Sequence, residues 1–198
     1  MFANCKCKNS AIFTVIIICL APIFLIVPSM AAAGSDFGQK PWIQVETKHT
    51  IIRYKSDRDL LKFHKSVDYG PSLWNRTSSF SSIPVSEVKR MLIQKSDAIF
   101  ERAQEILDMR KKFKTRTIIN IYPDSKELKK AYSIIYKGQC RIRAWYRFRN
   151  NSVYINADDV HAGMLAHELA HGIIDRFLLV KPPSETAEIL ARYVDSHL

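Results

Sequence analysis

Cysteine is scarce in this chain of 198 residues, which limits how its fold can be held together. The chain has four cysteines, and three of them, Cys5, Cys7 and Cys19, lie close to its start. Residues 34–198 contain only Cys140, so no disulfide can form within them. This argues against the disulfide-rich toxins and growth factors among small secreted proteins. Stability is therefore expected from packing and from any bound metal.

Charge is absent from one long stretch near the start. Residues 11–27, AIFTVIIICLAPIFLIV, follow Lys6 and Lys8 and precede the small residues SMAAAG. A positive start, an apolar run and a small-residue cleavage site are the three parts of a secretory signal. We predict a signal peptide over residues 1–33; the alternative is an uncleaved membrane anchor at residues 11–27. In either case the rest is predicted to be exported: periplasmic, secreted or held at the outer face of a membrane.

Acidic residues are in the minority. The chain has 30 Lys and Arg against 19 Asp and Glu, a formal net charge of +11. An exported basic domain is attracted to anionic surfaces such as lipid headgroups, acidic polysaccharides or acidic proteins. Nucleic acid is not expected as a partner outside the cell. Solubility alone is an equally good explanation for the positive charge.

The chain has no internal repeat and no low-complexity segment. Residues 34–41 are predicted to be a linker and residues 42–198 a single domain with one core. Hydrophobic patterns and turn residues predict elements in this order: a strand at Ile43–Tyr54, a short helix from Asp57, a long helix from Pro84 to Lys111, a strand in TRTIINIYPDS, a short helix closed by Gly138, a hairpin turning at Asn150–Asn151, a helix at Asp159–Leu178 and a C-terminal helix from Ser184. We therefore expect an α+β domain with a small, mostly antiparallel sheet.

The first hairpin strand, RIRAWYRFR, alternates with a period of two. Its odd positions are mostly basic and its even positions are apolar: Arg141, Arg143, Trp145, Arg147 and Arg149 against Ile142, Ala144, Tyr146 and Phe148. This pattern predicts an apolar face toward the core and a cationic face outward. The four arginines are a candidate contact for an anionic substrate or membrane surface. The alternative is an ordinary solvated strand face.

Two histidines four residues apart occur in MLAHELAHGIID, Met164–Asp175. On a helix His167 and His171 share one face, where two imidazoles can bind one tetrahedral zinc ion. Glu168 points about 100° around the helix from His167, so it can reach a water at the metal and act as general base. The flanking residues are apolar or small, so three ionisable side chains here would be costly without partners. A hydrogen-bonded histidine pair in the core is the alternative.

HELAH on a buried helix resembles the zincin metallopeptidases, and the resemblance covers roughly Asn151–Leu198. The metzincin branch would need a glycine and a third histidine where Ile174 and Phe177 stand. The resemblance is therefore to the gluzincin branch, thermolysin-like and aminopeptidase-like enzymes that take a glutamate from a later helix. It implies one Zn²⁺ ion, hydrolysis of peptide bonds and a small sheet lying over the metal helix.

The C-terminal segment PPSETAEILARYVDSHL offers two candidates for that third ligand. Glu188 lies at the edge of the apolar helix face, and EILARYV resembles the E-G-L-A-E-Y pattern of single-domain gluzincins, with Ile189 in place of the glycine. Glu185 lies in the first turn, where the helix dipole alone explains an acidic residue. We predict that Glu188 is the ligand, with Glu185 as the alternative.

The resemblance implies further roles that the motif does not assign. In gluzincins an edge strand aligns the peptide by backbone pairing, and SVYINAD, before the metal helix, is the candidate. Asp175 is a candidate to orient His171; exposure to solvent is the alternative. The residue that holds the oxyanion in gluzincins lies downstream of the third ligand. Tyr193 and His197 stand there, neither at a recognised spacing, so that role stays unassigned.

The leading prediction is an exported zinc metallopeptidase that acts on peptides or proteins. His167, His171 and Glu188 would hold zinc, and Glu168 would be the catalytic base. The first alternative is a catalytically idle zinc-binding relative that serves as a basic cell-envelope binding module. The second is a structural domain without a metal.

Overall fold

A five-stranded mixed sheet organises the described residues, 41–71 and 84–198, of this computed structural model. The strands are β1 (Ile43–Glu46), β2 (Thr50–Tyr54), β3 (Thr117–Tyr122), β4 (Ala144–Arg147) and β5 (Ser152–Asn156). They lie in the order β1-β2-β3-β5-β4, which places β1 and β4 at the two edges. The signal segment and all of the linker except Pro41 are predictions that lie outside the described residues.

The strand pairing confirms the α+β class and corrects one part of the expectation. β1 with β2 and β4 with β5 are antiparallel, whereas β2 with β3 and β3 with β5 are parallel. The sheet is therefore mixed, and not mostly antiparallel. The physical reason is that helices lie in the connections from β2 to β3 and from β3 toward β5, and parallel neighbours need such crossovers.

Five α-helices accompany the sheet in the described ranges. They are α1 (Asp57–Ser66), α2 (Val85–Ile106), α3 (Ser125–Tyr136), α4 (Ala162–Phe177) and α5 (Ser184–His197). The strand expected at Ile43–Tyr54 is two strands, because the chain turns where the Thr47 amide donates to the Thr50 carbonyl. The residue that ends α3 in the left-handed conformation is Lys137, with φ 53°, rather than Gly138.

Each face of the sheet carries its own hydrophobic cluster. The larger cluster lies between the sheet and helices α1, α2, α4 and α5, and α4 buries six apolar side chains in it with no exposed surface: Leu165, Ala166, Leu169, Ala170, Ile173 and Ile174. The smaller cluster lies on the opposite face and joins Leu128 of α3 to Trp145 and Tyr154. The metal helix predicted from HELAH is thus held by the larger core.

The smaller cluster corrects the prediction for RIRAWYRFR. Only Ala144–Arg147 is strand, and Trp145, expected on the outward face, is 5% exposed and stacks on Tyr154 at a centroid distance of 4.7 Å. The prediction that Trp145 faces solvent is wrong, because α3 covers this face of the sheet. Arg143 is paired with Asp159, so it is not a free cation, and Phe148, expected to face inward, is 59% exposed.

The described residues, 41–71 and 84–198, belong to one compact unit. Among the residues that the structure describes, no helix has both the length and the apolar character needed to cross a bilayer.

Candidate metal centre

Helix α4 places the two histidines of HELAH at the edge of the core. Its start is capped by His161, whose Nδ1 accepts the Met164 amide at 3.1 Å. His167 and His171 keep 17% and 20% of their side-chain surface exposed, because they lie at the border between the buried side of α4 and the cleft. Their Nε2 atoms are 3.3 Å apart, so both rings present the same nitrogen to one point.

Helix α5 brings Glu188 to the same point. Its Oε1 lies 3.6 Å from His167 Nε2, and its Oε2 lies 3.4 Å from His171 Nε2. Glu185 is exposed in the first turn of α5 and does not belong to this group, which consists of His167, His171 and Glu188. Of the two candidate glutamates, Glu188 is therefore the one that the fold brings to the histidines.

The separations of these donor atoms fit a tetrahedral ion. Zinc binds nitrogen and oxygen at about 2.0–2.2 Å, so neighbouring ligand atoms of a tetrahedral site lie about 3.3–3.6 Å apart. The observed separations of 3.3, 3.4 and 3.6 Å match this spacing. Two imidazoles and one carboxylate are also a common donor set for catalytic zinc. The group formed by His167, His171 and Glu188 can hold a metal ion.

Two members of the group, His171 and Glu188, have pKa values shifted in the direction that metal binding requires. Burial lowers the pKa of His171, and the neighbouring His167 lowers it further. Burial alone would raise the pKa of Glu188, but His167 and the Arg192 guanidinium lower it overall. A neutral imidazole at His171 and an ionised carboxylate at Glu188 are the forms that coordinate.

Glu168 is the most buried ionisable group of the site. It is 8% exposed, and burial together with the negative charge of Glu188 raises its pKa to about 8, against the opposing hydrogen bond from the Tyr146 backbone. A carboxyl group that is both desolvated and close to another carboxylate is typical of a catalytic acid or base. A cation bound by Glu188 would offset this negative charge and so favour the ionised form of Glu168.

A cleft of about 740 Å³ opens over these residues. His167, Glu168, His171 and Glu188 line it, together with Lys181 and the residues from Arg141 to Tyr146. β4 is thus an edge strand that forms a wall of the cleft. The prediction that SVYINAD is the edge strand that aligns the substrate is wrong. This segment forms β5, which lies between β3 and β4, so both of its edges are paired. Sequence patterns show that a strand is buried, but strand order depends on distant pairings.

No family model, no curated protein and no solved structure matches the chain. The interpretation of the site therefore depends on its geometry and on the HELAH motif.

Of the three other residues considered in the sequence, Asp175 lines the cleft and Tyr193 and His197 do not. Asp175 is half-buried and lines the cleft, and burial raises the pKa of its carboxyl group. Tyr193 and His197 stack on each other with a centroid distance of 4.0 Å, and neither is among the described residues that line the cleft. The role of oxyanion donor is therefore assigned to neither of them.

Two contacts of the site were not predicted from the sequence. Arg192 Nε donates to Glu188 Oε1 at 3.1 Å, and the spacing of four residues on one helix is a signal that could have revealed this pair. Asp195 of α5 lies against Gly163 of α4, where a Cβ atom would overlap Asp195 Oδ1. No local pattern indicates this second contact, because the two residues lie on different helices.

Proposed function

We propose that the chain is an exported zinc-dependent metallopeptidase. The observation that carries the proposal is the convergence of His167, His171 and Glu188 on one point, with the buried Glu168 carboxyl beside it on the floor of the cleft. A structural pair of histidines would need neither the third ligand atom at tetrahedral spacing nor an adjacent buried carboxyl group.

The roles of the protein groups follow from their positions. A bound zinc ion supplies Lewis acidity, which makes water more acidic and polarises a carbonyl group. Glu168, as an ionised carboxylate, accepts the proton of the attacking water and then donates it to the departing amine. The free edge of β4 offers backbone N–H and C=O groups to an extended peptide, so the substrate lies along the strand and across the metal ligands.

A catalytically idle zinc-binding module is the second candidate function. The observation that favours it is that Tyr193 and His197 stack on each other and are not among the described residues that line the cleft. A peptidase gains a large part of its rate from groups that stabilise the developing oxyanion. A relative that keeps the metal ligands without such a group would bind zinc and partners but cleave poorly.

The test combines metal content with one matched pair of variants. The purified chain is expected to contain one zinc ion per molecule, measured by atomic absorption, and to cleave members of a random peptide library. Glu168→Gln should keep the zinc and lose roughly 10²- to 10⁴-fold in cleavage rate, which is the usual contribution of a general base. Glu185→Gln makes the same chemical change at an exposed position and should cleave like the unmodified chain.

The outcomes separate the two candidates. Zinc at full occupancy without cleavage of any peptide would favour the binding module. Absence of zinc from protein that binds none on titration would contradict both. Equal activity of the Glu168→Gln variant and the unmodified chain would contradict the role of Glu168.

A further inference from the structure

Two neighbouring segments beside the cleft expose large apolar side chains to solvent. Leu179 is 102% exposed, Val180 81% and Phe148 59%. Lys181 Nζ lies 4.9 Å from the centroid of the Phe148 ring, so the turn after β4 touches the loop after α4. We call Phe148, Leu179 and Val180 the apolar tip.

The apolar tip is held outward by the chain on both sides of it. Leu178 is half-buried and packs against the larger core, so the chain leaves the core directly before Leu179. Pro182 and Pro183 follow, and each proline ring fixes its φ angle. The loop therefore projects its aliphatic side chains from a restricted backbone, rather than folding them back against α4.

Basic residues flank the apolar tip. Arg149 and Lys181 are exposed, and neither takes part in an ion pair with another residue of the described ranges. The positive charge of Lys181 also acts on Asp175 and His171 in the cleft, where it lowers their pKa values. The whole chain carries a net charge of +11. Exposed aliphatic and aromatic side chains surrounded by Lys and Arg are the usual elements of binding to an anionic lipid interface.

We propose that the apolar tip inserts into the surface of an anionic membrane, with Arg149 and Lys181 contacting the lipid phosphates. A protein partner is disfavoured because three projecting side chains fall far short of the roughly 20–30 residues a side of a standard protein interface. A bilayer needs no such area, since its headgroup region yields around a projecting loop. The proposal does not depend on peptidase activity.

The apolar tip adjoins the cleft. Phe148 and Lys181 belong to the apolar tip and its basic flank, and both also line the cleft. Docking of the tip therefore holds one mouth of the cleft at the membrane surface. Ligands presented there would be segments of membrane-bound proteins close to the bilayer.

The test places a reporter at the tip of the full chain. A Leu179→Trp variant is mixed with phosphatidylglycerol vesicles whose acyl chains carry bromine, which quenches tryptophan fluorescence only at contact. Ile134→Trp is the matched control, since Ile134 is 68% exposed on α3, on the opposite face of the sheet. The three native tryptophans contribute equally to both variants.

We expect the fluorescence of position 179 to be quenched in these vesicles and that of position 134 to be unchanged. In the Leu179→Trp background, Arg149→Glu and Lys181→Glu should each raise the lipid concentration for half-maximal quenching by roughly fivefold or more. Because the readout is local, attachment of the chain through another segment does not produce it.

Three results would overturn the proposal. The first is equal quenching at positions 179 and 134. The second is equal quenching in phosphatidylcholine and phosphatidylglycerol vesicles that does not respond to either charge reversal. The third is a blue shift of the position-179 emission that grows with protein concentration in the absence of lipid, which would make the tip a contact between copies of the chain.

Discussion

Helices α4 and α5 both supply side chains to the candidate metal centre, but the surrounding protein holds the two helices very differently. α4 is buried along most of its length, with eight residues buried, Glu168 among them. α5 buries only Ala191 and Val194, and its ligand Glu188 has a side chain that is 40% exposed. The histidine pair is thus fixed by the core, whereas the third ligand depends on a helix that lies on the surface.

This difference implies a division of roles. A side chain fixed by packing loses little conformational entropy when a metal binds, whereas a glutamate that is 40% exposed loses more. We therefore expect zinc affinity to depend most on the two histidines of α4. Whether Glu188 also coordinates the ion should depend on how tightly α5 packs against α4.

The largest expected effect comes from removing one ligand on each helix. His171→Ala should lower zinc affinity by more than the roughly 100-fold that loss of an outer hydrogen-bond partner costs. Glu188→Ala should cost less than His171→Ala, because water can supply an oxygen ligand where the side chain is 40% exposed. Competition against a chromophoric chelator measures both, with Glu185→Ala as the unaffected control.

Equal losses for His171→Ala and Glu188→Ala would remove the distinction between the two helices. A larger loss for Glu188→Ala would reverse it, and would mean that α5 is more rigid in solution than its exposure suggests.

The next effect concerns stability. Leu169 of α4 has no exposed surface, so Leu169→Ala should lower the free energy of unfolding by about 2–5 kcal/mol. Leu190 of α5 is half-buried, and Leu190→Ala should cost about 1–2 kcal/mol, since less apolar area returns to water. Urea unfolding followed by circular dichroism gives both values. Similar losses at the two positions would show that α5 is part of the core to the same degree as α4.

A smaller effect is expected where the two helices meet. Gly163→Ala would place a methyl group against Asp195 Oδ1 and 3.4 Å from the Asp195 carbonyl oxygen. Because the exposed Asp195 side chain can turn aside, the overlap should cost no more than about 1 kcal/mol, with a small shift of α5 from the histidines. Gly138→Ala is the control, because its methyl group would meet only the Tyr136 carbonyl oxygen, at an ordinary contact distance of 3.8 Å, and lies outside both helices.

The double variant Gly163→Ala with Asp195→Ala makes this prediction specific. It should recover most of the stability and zinc affinity, since the overlapping carboxylate is gone. If the double variant is as impaired as Gly163→Ala alone, the glycine acts through the backbone of α4 and not through its contact with α5.

The same two helices show how far the sequence predicts this site. α4 could be predicted because HELAH and its apolar flanks are local, and Glu188 could be preferred to Glu185 because position around a helix follows from spacing alone. The contact of Asp195 with Gly163 and the edge position of β4 could not be predicted. Both depend on which distant segments become neighbours, as does the burial of Trp145 under α3.

The smallest effect is expected at Arg192, the residue that holds Glu188 from the solvent side. Its side chain is 73% exposed, so the hydrogen bond to Glu188 stabilises the carboxylate by at most about 1 kcal/mol. Arg192→Ala should therefore lower zinc affinity by up to about fivefold, and Arg192→Lys should lie between that variant and the unmodified chain. A gain in affinity for Arg192→Ala would mean that the guanidinium competes with the metal for Glu188, so that α5 is restrained by its contact with α4 alone.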